Sequence, residues 1–178
     1  MRRLYGALGL VVLVILIAFV WQRLFGNETK EPRLVSSTPV AVIGGESEES
    51  VAVAADGTLL AWLPVAEGSD LPRLPLDAPP KGPRVGGPML EQVRVIAAAP
   101  AALSPYVAAS YYGESGVDVE LTTGIELRFG SAAQAARKWK AAAAILADPS
   151  LTVLDYVDLH APSRPAVGGS GHTLLPVP

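Results

Sequence analysis

Val117-Asp-Val-Glu-Leu-Thr-Thr-Gly-Ile-Glu-Leu-Arg-Phe129 alternates apolar and polar residues on both sides of a Thr-Thr-Gly step. Side chains in a strand point to opposite faces with a period of two, so each arm reads as a strand with one buried and one wet face. A three-residue loop at Thr122, Thr123 and Gly124, with Gly124 left-handed, sets Val117, Val119 and Leu121 opposite Phe129, Leu127 and Ile125 on a single face. A two-residue loop would place Leu121 against Glu126 and lose that match. The same register faces Asp118 with Arg128, a pairing worth ~0.2–1 kcal/mol, and Glu120 with Glu126 at a similar penalty.

A hairpin with one apolar face needs a layer to bury it, and the flanking sequence supplies two helices. Downstream, Ser131 reads as an N-cap and Ala132 to Ala147 as a helix with Ala132, Ala135, Ala136, Trp139, Ala142, Ala143 and Leu146 on its buried stripe. Arg137, Lys138 and Lys140 read as a solvated face of that helix. Asp148-Pro149 stops it, and Thr152 to His160 forms a final strand. Upstream, Tyr106 to Tyr112 is a further strand. Pro88 opens a short helix with apolar residues at 89, 90, 93, 96 and 97, ended by Pro100.

Closer to the N-terminus, Pro39 to Ile43 reads as a strand and Val51–Ala55 with Thr58–Leu63 as a hairpin. Its turn is Asp56-Gly57, with both central residues at positive φ. Residues 64–88 hold seven prolines and little periodicity. They read as an extended connection, ordered where Leu71, Leu74 and Leu76 dock and mobile around Pro79 to Gly87.

From Leu4 to Trp21 the chain carries no charge. At about 1.5 Å per residue that run and its flanks cross a hydrocarbon core of about 30 Å. Tyr5 and Trp21 suit the headgroup region, and Arg2, Arg3 and Arg23 reach water. A cleaved signal peptide is the rival reading, but Trp21-Gln-Arg-Leu-Phe25 is no small-residue cleavage site. The expected fold class is α+β, an N-terminal transmembrane helix followed by a mostly antiparallel β-sheet domain with two packed helices. The expected segments are a tip and span at 1–25, a juxtamembrane linker at 26–38, a β domain at 39–168 and a flexible tail at 169–178.

Of the 14 basic residues, three flank the apolar run, and the remaining 11 meet all 17 acidic residues, for a formal charge of −6. That balance disfavours nucleic acid, whose phosphates require a basic footprint. No cysteine is present, which excludes a disulfide framework, a thiol nucleophile and cysteine-ligated zinc. His160 stands at a strand end with no second ligand at metal spacing. His172 and the Gly168-Gly-Ser-Gly-His172 string lack the strand-to-helix context of a nucleophile elbow, and the string reads as a linker. No catalytic, cofactor or metal site is expected.

The most specific string is Tyr156-Val-Asp-Leu159, followed by Pro162, Arg164 and Ala166-Val-Gly168. Pro39-Val-Ala41, Ala55-Asp-Gly57, Leu71-Pro-Arg-Leu-Pro75 and Gly124-Ile-Glu-Leu-Arg-Phe-Gly130 support it. In this order, behind one apolar run, they resemble the C-terminal β domain of the FtsQ/DivIB cell-division family over about residues 39–168. The POTRA domain that usually precedes this β domain is missing, since only residues 26–38 stand in its place.

The resemblance implies a single-pass protein of the bacterial inner membrane at the division septum, its N-terminus cytoplasmic and its β domain extracytoplasmic. The positive-inside count alone leaves that orientation open. It also implies a non-catalytic scaffold that binds FtsB/DivIC-like and FtsL-like single-span coiled-coil proteins. The expected mode is strand addition at an edge formed by Tyr156, Val157, Asp158, Leu159 and His160, with Ala166, Val167 and Gly168 beside it. Val157 and Leu159 serve equally well as core. A charged residue at Tyr156, or a proline at Asp158, is expected to abolish capture. The alternative is a membrane-anchored envelope module unrelated to division, and a cleaved secreted enzyme using His160 or Ser170 stands third.

Overall fold

The computed structural model describes residues 38–44, 50–66, 68–76, 80–151, 153–169 and 171. The apolar run at 4–21, the linker up to residue 37, Ser170 and His172 with the rest of the tail lie outside them. No helix among the described residues is long and apolar enough to cross a membrane.

The strands are β1 (Pro39–Ile43), β2 (Val51–Ala54), β3 (Arg73–Leu74), β4 (Val107–Gly113), β5 (Gly116–Leu121), β6 (Glu126–Gly130), β7 (Tyr156–Asp158) and β8 (Ala166–Gly168). The helices are α1 (Gly87–Ala97) and α2 (Ala135–Leu146), with a 3-10 turn at Ser104–Tyr106. The strands form one mixed sheet in the order β2-β1-β3-β4-β5-β6-β7-β8. Antiparallel pairings are β1–β2, β4–β5, β5–β6 and β7–β8, and the other three are parallel.

The β5–β6 hairpin takes the expected register over most of its length. Val119 faces Leu127, Asp118 faces Arg128 and Glu120 faces Glu126, and Gly124 adopts φ 84° in the loop. Val117 departs, facing Gly130 instead of Phe129, because a bulge intervenes between Val117 and Asp118. Gly116 and Gly130, at φ 105° and 70°, let the two backbones approach so closely there that a Cβ on Gly116 would strike the Gly130 carbonyl. Val119, Leu121, Ile125, Leu127 and Phe129 are all buried on the helix-covered face.

Both helices lie against that face, α1 over β1, β4 and β5, and α2 over β6. Trp139 joins them: its ring packs 5.0 Å from Phe129, and its Nε1–H donates to the Val95 carbonyl at 2.7 Å. A buried tryptophan that finds a partner for its N–H avoids an unsatisfied donor. Gly87 and Pro88 begin α1 as the sequence indicates, and its buried residues are Gln92, Val93, Val95 and Ile96.

The second helix begins later than expected, at Ala135, after Gln134 in the left-handed region at φ 58°. Ser131 does not cap it. The Ala132 N–H, in the turn before the helix, donates to Glu91 Oε2 of α1 at 2.7 Å and ties that turn to the first helix. Lys138, expected in solvent, is buried, and Ala136, expected on the stripe, is exposed. The Lys138 ammonium donates to the carbonyls of Phe129 at 2.6 Å and Ser131 at 3.0 Å, closing off the chain as it leaves β6. Burial holds its pKa below the usual lysine value.

At the opposite end of the sheet, the turn after β2 is a three-residue loop in which Gly57 alone among Ala55, Asp56 and Gly57 has positive φ. Ala54 and Thr58 close it with a 2.9 Å bond from the Ala54 N–H, and the Asp56 carboxylate accepts from the Thr58 N–H. The returning arm is shorter than expected. Leu59 bridges Val53 and the Leu60 N–H donates to Ala52, then the chain turns and buries Leu60 over Ala52 and Ala54.

The proline-rich connection supplies β3, which lies parallel between β1 and β4 and buries Leu74. Two residues without alternation gave no strand signal. Pro83 and Val85 are also bonded to Leu59 and Gly57, so this part of the connection is tied to the hairpin rather than loose.

Candidate partner-binding edge

The final strand is shorter than the sequence suggests, covering Tyr156–Asp158 of the expected Thr152 to His160. Its chain direction makes it parallel to β6, with Glu126 facing Tyr156, Leu127 facing Val157 and Arg128 facing Asp158. On its other side β8 runs antiparallel, facing Gly168 to Tyr156, Val167 to Val157 and Ala166 to Asp158. The expectation of an open edge at Tyr156 to His160 is therefore corrected. A strand between two partners has committed its backbone groups on both sides.

Among the described residues no strand pairs with the outer side of β8, which is the terminal strand of the sheet. Ala166 and Val167 are exposed, Val167 at 42%, and Gly168 is half-buried. Val157 and Leu159 are fully buried among the helix-facing core residues, which gives them the packing role of the two that the sequence allowed. Because Val167 stands beside Val157, the apolar row that begins inside the core runs out to the edge.

The other face of this end is polar. Tyr156 is half-buried, with the Arg128 guanidinium 4.0 Å above its ring. Arg128 Nε also bonds Glu126 Oε1 at 2.7 Å, which holds its pKa above the ordinary value. Although Arg128 faces Asp118 in register, its close charge partner is thus Glu126 on its own strand. Asp118 Oδ1 is buried without a hydrogen-bond partner. Burial, then the neighbouring Glu126, raises the Asp118 pKa. Tyr111, Asp118, Glu120, Gly124 and Glu126 line a shallow depression alongside.

His160, at the end of β7, is bonded through both ring nitrogens. Nδ1 meets Asp158 Oδ1 at 2.8 Å, and Nε2 meets the Ser115 carbonyl of the β4–β5 turn at 3.2 Å. A carboxylate and a carbonyl only accept, so both bonds are satisfied together by the imidazolium. Those two acceptors raise the His160 pKa, the Asp158 bond contributing most. The Asp158 carboxyl is held low, chiefly by the His160 backbone N–H at 2.9 Å. The ring clasps the ends of three strands, since it also packs on Gly130. Among the described residues no group of three His, Asp or Glu side chains is placed to hold a metal ion.

Sequence reasoning placed Tyr156, Asp158, His160, Ala166, Val167 and Gly168 together, and the structure does bring them to one end of the sheet. It missed Arg128 over Tyr156, because that contact depends on a parallel register set across the α2 crossover. It also missed Asp155, whose carboxylate accepts from the Gly171 N–H at 2.7 Å. The glycines at 168, 169 and 171 were the available signal, and their spacing looks the same in a linker.

No curated protein matches the chain. The family model for the C-terminal domain of cell division protein FtsQ/DivIB matches residues 41–160, from within β1 to the histidine that follows β7. That match spans more than half of the 178 residues and nearly all of the sheet, so the chain belongs to the FtsQ/DivIB family of cell-division proteins.

Proposed function

We propose that this domain is a non-catalytic scaffold of the bacterial division machinery, held at the inner membrane by the apolar run at 4–21 with the β domain outside. It captures FtsB/DivIC-like and FtsL-like single-span coiled-coil proteins by adding a strand of the partner to β8. Membership of the cell-division family supports the process. The observation that carries the mode is the outer side of β8, which no strand covers among the described residues. An edge of this kind presents main-chain donors and acceptors, and the exposed Val167 beside it offers an apolar contact to alternate side chains of the incoming strand. The interface therefore centres on Ala166, Val167 and Gly168. Tyr156, Asp158 and His160 flank it, and Val157 and Leu159 support it from the core.

The experiment is co-purification of the detergent-solubilised, tagged full chain from its own cells, beside a Val167→Lys variant. A lysine on an edge strand opposes further pairing. Small single-span coiled-coil proteins should accompany the native chain and be lost with the variant, whose circular dichroism should stay unchanged. Equal recovery with both chains would place the interface elsewhere. Recovery with neither would favour an envelope role outside division.

A further inference from the structure

The side chain of Tyr156 does not stay on its own strand. Gly168 faces Tyr156 from β8, and a Cβ built on Gly168 would lie 2.6 Å from the Tyr156 hydroxyl and 2.7 Å from its Cζ. The ring therefore runs outward from β7 and lies across β8 at the glycine, where no side chain stands in its way. The Arg128 guanidinium rests 4.0 Å from the ring centroid while its Nε bonds Glu126, which holds the ring down in that position. Among the described residues no group bonds the Tyr156 hydroxyl, and it is not buried. A hydroxyl that belongs to β7 is thus presented at the outermost strand.

A strand added beyond β8 meets that hydroxyl at one position. Residues directly opposite on neighbouring strands have Cβ atoms ~4.5–5.5 Å apart, so the partner residue facing Gly168 starts about that far from the place the hydroxyl occupies. A side chain two or three bonds longer brings an oxygen into hydrogen-bond distance. The partner residues before and after it point to the other face, alongside Val167 and the buried row behind it. Glu126 faces Tyr156 from β6, and Asp155 and Asp158 lie within two residues of it, against Arg128 and His160 as the neighbouring cations. Another carboxylate meets repulsion there, whereas a carboxamide oxygen accepts from the hydroxyl without adding charge. We propose that Tyr156 is a specificity-determining residue: it selects a glutamine or asparagine on the partner strand, facing Gly168 and set between two apolar residues. This names the partner's chemistry for the strand addition proposed above and rests on that reading.

Synthetic peptides test the preference. The probe is Lys-Val-Thr-Val-Xaa-Val-Thr-Val-Lys with Gln, Met or Glu at Xaa, a symmetric sequence that presents the same alternation in either strand direction. Each peptide is titrated into the full chain in detergent, native and Tyr156→Phe, and hydrogen exchange at β8 locates it. Tyr156→Phe keeps the ring over Gly168 and removes only the hydroxyl, so its circular dichroism should match the native chain. The native chain should bind the Gln peptide about threefold to tenfold more tightly than the Met peptide, the range expected for one net hydrogen bond. It should also bind Gln more tightly than Glu. In Tyr156→Phe the Gln and Met peptides should bind alike, with the outward β8 amides slowed in both chains. Slowed β8 amides with no Gln preference in the native chain, or with one that survives in Tyr156→Phe, would overturn the role of Tyr156 and leave strand addition standing. Tighter binding of the Glu peptide would overturn the choice of a carboxamide. If no peptide slows the β8 amides, strand addition itself fails and the selectivity falls with it.

Discussion

The two ends of this sheet are finished differently. Beyond β2, the chain returns through Leu59 and Leu60, turns over the sheet and is itself bonded by Pro83 and Val85. Beyond β8, no strand follows among the described residues, and the exposed Val167 continues a row of buried valines and leucines. An open edge is a hazard that proteins usually cover, charge or shorten. This sheet covers one edge and shortens the other to three residues. The comparison teaches that the β2 end is closed by its own returning chain, whereas the outer side of β8 is unpaired among the described residues.

Mutation can break the comparison from its sealed and interior parts first. Trp139→Ala removes the ring that joins α1, α2 and β6 together with its bond to Val95, and should cost about 3–5 kcal/mol. Chemical denaturation should show it as a shifted midpoint. Asp158→Pro falls inside the sheet rather than on an outward edge. It should destabilise by roughly 3 kcal/mol or more, with loss of folded circular dichroism. At the sealed end, Leu60→Ala empties the contact over Ala52 and Ala54 and should cost about 2–5 kcal/mol with partner capture retained.

At the open end the sign of the comparison reverses. Val167→Lys should move stability by no more than about 0.5 kcal/mol, as an exposed substitution, yet abolish capture. The smallest effect belongs to His160. Its folded-state pKa is raised above the ordinary 6.5, so the clasp's stability is fully present below that value and is lost as pH rises through the raised one. The side chain is 45% exposed, so screening limits the change to under about 1 kcal/mol. Denaturation midpoints measured across that window should fall in the native chain and stay flatter in His160→Gln.

Local physics was readable from the residues alone. Strict alternation predicted β5 and β6 and most of their register, and 3.6-residue spacing around Trp139 found one of the two helices that cover them. What failed was non-local. Glu91 serves Ala132 from another helix, and Lys138 is buried because two carbonyls at the end of β6 wait for it. Glu91 lies far from Ala132 in sequence, and the two carbonyls that hold Lys138 lie before its helix begins, so neither contact enters the helical periodicity. The end of the sheet lies one strand further out than expected for the same reason. Ala166-Val-Gly168 is too short to read as a strand until β7 is there to pair with it.

The most direct test is hydrogen exchange at Ala166–Gly168 in the native full chain, free and mixed with the extracytoplasmic segment of the co-purified coiled-coil partner. Strand addition predicts that the outward β8 amides slow on binding while those at Leu59 and Leu60 do not change. A bound partner that leaves the β8 amides exchanging as in the free protein would contradict it.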